Sequence, residues 1–97
     1  MYGLIGRIKA VAGKRAELAA ILVQDGTMPG CLSYVVAEDP ADSDALWVTE
    51  VWVDPAAHRA SLHLPAVQAA IAKGGPLIAG FDNRVETNVL GGIGLTP

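Results

Sequence analysis

Two histidines, His58 and His63, one carboxylate set among apolar neighbours, Glu50, and two aromatics, Trp52 and Tyr34, are the residues whose types could do chemistry here. An imidazole is suited to move a proton near neutral pH. His58 and His63 stand five apart, whereas helical metal pairs are spaced by four. They therefore read as separate groups, of which at most one projects into a pocket. Glu50 has two readings: a buried carboxylate held by Arg7, Lys9 or Arg84, or a group that works on a substrate. Trp52 is either plain core or a platform for a ring. Cys31 has no basic neighbour in sequence and reads as a quiet strand residue. Gly91-Gly92-Ile93-Gly94 follows a strand but opens no helix, so it is no dinucleotide loop. The acidic stretch 38–44 lacks the alternating ligands and central glycine of an EF-hand loop, and reads as a solvated hairpin connection. No metal, haem or flavin is expected.

The elements that must position these residues follow from alternation and turn chemistry. Residues 45–53 form the central strand. Leu46, Val48, Glu50 and Trp52 share one face, and Trp47, Thr49, Val51 and Val53 the other. Both faces are mostly apolar, so both should be covered. Residues 2–11 form a first strand in which Gly6 leaves a gap, through a bulge, close packing or room for a ligand. A helix follows over about 13–24, with Leu18, Ile21, Leu22 and Asp25 at helical spacing. A turn over 26–30 ends it, and a second strand runs over 31–37. Asp54-Pro55 starts a short helix over 56–64 that carries both histidines. Leu64-Pro65 restarts it, and Gly74-Gly75-Pro76 ends the second piece. Residues 77–80 connect to a last strand over 81–89, with Asp82, Arg84 and Glu86 on one face. A single domain is expected over 2–89, with a flexible tail over 90–97. The order β-α-β-β-α-β is the ferredoxin-like split βαβ arrangement, an α+β fold with two helices on one face of an antiparallel sheet. The uncovered face predicts a homodimer.

Composition narrows the class. The 97 residues are 52% hydrophobic and 18% charged, with a net charge of −3. Nucleic acid calls for a basic stripe that is absent here. No apolar run approaches the ~20 residues that span a bilayer. Arg7 and Lys9 interrupt the N-terminal apolar run, so no signal peptide is read, and a lone cysteine fits a cytoplasmic setting.

Glu50-Val51-Trp52, then Asp54-Pro55-Ala56-Ala57-His58 and Leu64-Pro65-Ala66-Val67-Gln68-Ala69-Ala70, resemble the antibiotic-biosynthesis monooxygenase family. So do Gly13-Lys14 and Met28-Pro29-Gly30-Cys31-Leu32-Ser33-Tyr34. The resemblance covers residues 2–89. It implies a dimeric α/β barrel and a cofactor-free monooxygenase that oxidises a quinol or polycyclic phenol with O₂. The haem-degrading branch carries Asn at the place of Gly6, which argues against haem degradation. Many relatives carry His at the place of Ser61, where this chain has His58 and His63 on either side.

Such chemistry needs an electron-rich ring, a base and an apolar pocket open to O₂. The expected pocket lies between sheet and helices. His58 or His63 serves as base and Trp52 stacks on the ring, while Tyr34 and Glu50 orient its hydroxyl and Gly6 leaves it room. A non-catalytic ligand-binding or regulatory domain, or a lyase or isomerase on the same fold, are the rival readings.

Overall fold

The computed structural model describes residues 1–23 and 27–95. Its elements are β1 (Tyr2–Ala10), α1 (Arg15–Leu22), β2 (Cys31–Glu38), β3 (Ala45–Trp52), α2 (Pro55–Ser61), α3 (Pro65–Gly74) and β4 (Ile78–Asn88), with a single 3₁₀ turn at Gly75–Leu77. The strands form one antiparallel sheet in the order β2-β3-β1-β4. This is the ferredoxin-like α+β arrangement. The expected positions Gln24, Asp25 and Gly26 and the last two of the tail, Thr96 and Pro97, lie outside the described residues.

The core sits where α1 lies on the sheet. Leu18 is fully buried against Ile8, Ala10, Leu46 and Val48, which β1 and β3 present on one face. The first helix starts two residues later than expected, because Gly13 takes a left-handed φ of +79° in the turn before it. The N-terminus of α2 is as the residue types require. Asp54 is extended, its Oδ1 accepts from the Ala57 N–H at 2.7 Å, and Pro55 opens the helix.

Three expectations are corrected. The short helix stops at Ser61 rather than Leu64, since Pro65 holds Leu64 at an extended φ −68°, ψ 136°. The last strand begins at Ile78, which pairs with Ala10, because backbone pairing with β1 continues through Gly80 opposite Lys9. Finally, Asp82 does not share a face with Arg84 and Glu86. The register shifts between Ile5 and Arg7, and Asn83 takes a positive φ of 50° opposite that shift. A bulge there swaps the faces of the strand on either side of it. Phe81 joins Ile8 on the helix face, and Asp82 joins Arg7 on the other.

That other face holds an ionic cluster at one end. Arg7 donates to Asp39 at 3.1 Å, to Asp42 at 2.9 Å and to Asp82 at 2.9 Å; Lys9 also bonds Asp42. The Trp47 indole donates to Asp39 at 3.0 Å, and Arg15 donates to Glu38 and to the carbonyls of Asp39 and Asp42. The acidic hairpin connection is thus latched to the sheet by three cations rather than merely solvated. Val35 and Val85 stand exposed on the same face. Among the described residues no helix is long and apolar enough to cross a membrane.

Candidate functional site

Alternation along β3 sets Glu50 and Trp52 side by side on the helix face. The Trp52 indole N–H donates to Glu50 Oε1 at 3.1 Å. One turn into α2, His58 comes back over this pair. Its ring meets the Trp52 ring edge-on, with centroids 5.4 Å apart and planes at 68°. His58 Nε2 stands 4.0 Å from Glu50 Oε1, outside hydrogen-bond range but close enough for a charged imidazole to pair with the carboxylate. The side chains of both residues are only 15% exposed. Buried Ser61 donates to the His58 carbonyl at 2.6 Å and fixes the turn that carries the imidazole. Tyr2, opposite Trp52 on β1, completes the enclosure with its ring 5.9 Å from that of His58.

Electrostatics follow burial. Desolvation pushes the Glu50 carboxyl above its ordinary range; the Trp52 N–H, His58 and Arg84 pull the other way. Tyr34 lies directly opposite Glu50 on β2. Burial, with Glu50 and Cys31 adding, pushes its phenol up to about 12, so it stays a neutral hydroxyl. Burial also raises the Cys31 thiol, which suits an unreactive strand residue.

A cavity of about 150 Å³ opens on this face. Leu4, Gly6, Ile8 and Val48 form its floor, Tyr34 and Glu50 one wall, and Phe81 and Arg84 of β4 the opposite wall, where the paired Arg7 and Asp82 also border it. A Cβ placed on Gly6 would meet nothing within 4 Å, so the glycine leaves open floor rather than a close backbone contact. A larger depression of about 500 Å³ lies at the latched hairpin, between Arg15 and residues 38–43. Its charged groups are already engaged, Arg15 with Glu38 and Asp39 with Arg7 and Trp47, and it lies apart from the lining that holds Glu50.

Of the six candidates, Tyr34, Glu50 and Gly6 line the cavity. His58 sits behind Glu50. Trp52, 1% exposed, is not among the residues that line the cavity and is bonded to Glu50, which is. His63 is not brought to the cavity. The helix has ended before it, and its side chain is exposed in the turn to α3. Glu50 is not held by Arg7 or Lys9, which the pleat sends to the opposite face. Tyr2, Phe81 and Arg84 join the site in the structure without a motif of their own in the sequence. For the two on β4, the only available signal was Asn83, a residue that tolerates positive φ within a strand. Among the described residues no group of three or more potential metal ligands gathers.

The model of the family described as antibiotic biosynthesis monooxygenase matches residues 1–73. A candidate antibiotic biosynthesis monooxygenase from Chloroflexus aurantiacus, solved by crystallography, is 58% identical, covers 98% of each chain and superposes with a TM-score of 0.94. Another from Deinococcus radiodurans is 26% identical over the whole of both chains, with a TM-score of 0.77. A third from Nitrosomonas europaea, at 14% identity, shares the fold with a TM-score of 0.80, covering 93% of this chain and 99% of its own. No curated protein matches the chain.

Proposed function

We propose, for a chain that belongs to the antibiotic biosynthesis monooxygenase family, a cofactor-independent oxidation of a quinol by O₂. The observation that supports this reading is the Trp52–Glu50–His58 constellation set against an apolar cavity. The ring lies over Gly6 with a hydroxyl between Tyr34 and Glu50. That hydroxyl gives its proton to the Glu50–His58 pair. Glu50 accepts the hydrogen bond and His58 stores the charge, in the manner of a carboxylate supporting an imidazolium. The electron-rich quinolate then reduces O₂. A C–O bond forms at a ring carbon and the O–O bond breaks. One oxygen stays on the ring and the other leaves as water, so quinol plus O₂ gives hydroxyquinone plus water. The substrate supplies every electron, and no flavin, haem or metal is needed.

Size selects among substrates. A volume of roughly 150 Å³ holds one benzene-sized ring, which favours a single-ring quinol over a polycyclic phenol. The functional unit we propose is a cytoplasmic homodimer that packs the faces opposite the helices together, leaving both cavities open. Oxygen uptake with a panel of hydroquinones, counted against water and hydroxyquinone formed, tests the reading. One O₂ consumed per hydroxyquinone, without added cofactor, is expected. Tight binding of the same compounds without oxygen consumption would favour a ligand-binding domain instead. Rearrangement or cleavage without O₂ would favour a lyase or isomerase.

A further inference from the structure

The cavity is charged differently at its two ends. Glu50 on β3 and Arg84 on β4 flank β1, and so stand two inter-strand spacings apart, roughly 10 Å between their backbones. Between them Gly6 presents no side chain. The bulge at Asn83 sets this arrangement: Asp82 and Arg7 also border the cavity, but their charges are paired with each other at 2.9 Å, which leaves Arg84 as the cation of β4 there without a close carboxylate partner. Arg84 is 59% exposed, and its partner is the equally exposed Glu86 at a loose 3.5 Å. A guanidinium offers five donors in a fork that matches a carboxylate, and one such contact leaves most of them available.

We infer that the substrate is an acidic single-ring quinol, whose carboxylate is held by Arg84 while a ring hydroxyl meets Glu50. The polarity is fixed by Glu50. A second anion beside that carboxylate would be repelled, so the acid group must lie at the β4 end, where the cation is. Phe81, brought onto the same wall by the bulge, covers the ring edge next to the carboxylate. Exposure of Arg84 makes it a specificity-determining group at the mouth rather than part of the proton path. The inference rests on the proposal that this cavity is the substrate site, and its test separates binding from turnover.

The experiment is calorimetric binding of 2,5-dihydroxybenzoate and of its methyl ester to the wild-type protein, Arg84→Gln and Arg84→Lys. The acid should bind about tenfold more tightly than the ester to the wild type, the size of effect one accessible charge-assisted contact gives. Arg84→Gln should bring the acid down to the ester's affinity and leave the ester unchanged; Arg84→Lys should keep part of the preference. Equal affinity of acid and ester for the wild type, equal weakening of both by Arg84→Gln, or binding of neither compound would overturn the inference. A preference that depends on Arg84 without oxygen uptake would support the inference and count against oxygenation.

Discussion

The Trp52 indole is bonded to the Glu50 carboxylate at 3.1 Å while itself almost wholly buried, so the aromatic residue acts on the cavity through the acid beside it. A strand explains the pairing: residues two apart share a face. The fixed N–H holds one carboxylate oxygen and orients the other. In the proposed chemistry Trp52 is thereby a positioning residue, and the cavity floor is made by smaller groups around Gly6.

Glu50→Gln should stabilise the protein at neutral pH while removing oxidation. The Glu50 carboxyl is raised above its ordinary 4.5, so the folded chain holds a proton that the unfolded chain releases. Stability therefore falls as pH rises from that ordinary value through the folded one, and the full penalty remains above it. Thermal melts should show the variant a few degrees above wild type at pH 7 and level with it near pH 4. A variant less stable at pH 7 than at pH 4, relative to wild type, would show that the charged carboxylate is a net stabiliser.

Acid should act at the opposite face. Asp42 is lowered to about 2, chiefly by its bond to Lys9, then by the Asp44 N–H and Arg7. A lowered carboxylate contributes stability above its ordinary 3.8 that is lost as pH falls through about 2. Acid unfolding followed by circular dichroism should show this loss in wild type. It should be absent from Asp42→Asn, whose stability at pH 7 is lower. Coincident acid-unfolding curves for the two proteins would remove the latch from the account.

Val35→Asp with Val85→Asp should split the proposed dimer. Both valines are exposed on the face that no helix covers, and unpaired charges cannot be buried there without large cost. Light scattering should give twice the 10.0 kDa chain mass for wild type and the single mass for the double variant. A wild-type protein that is monomeric at micromolar concentration would contradict the proposed assembly.

Much of this arrangement was legible from local rules. Alternation placed Glu50 with Trp52 and Trp47 opposite them, and Asp54-Pro55 announced the helix that carries His58. The order of elements led to the ferredoxin-like sheet. What escaped local reading depends on partners distant in sequence. Alternation along β4 assumes an unbroken pleat, and the bulge at Asn83 moves Asp82 and Phe81 to exchanged faces. Ile78 and Gly80 look like connector residues, but β1 supplies their pairing. His63 shares the composition of a helix and lies beyond its end because Pro65 fixes Leu64. The hairpin carboxylates look solvated until the sheet brings Arg7 beneath them.

The central claim is that His58, through Glu50, takes the proton that starts oxidation. Its most direct test is the hydroquinone-dependent oxygen uptake rate of His58→Ala beside His63→Ala, with folding verified by circular dichroism. Loss of a general base costs about 10²–10⁴-fold, so His58→Ala should fall by that factor, while exposed His63→Ala stays within about twofold of wild type. A folded His58→Ala protein that consumes oxygen at the wild-type rate would contradict the account.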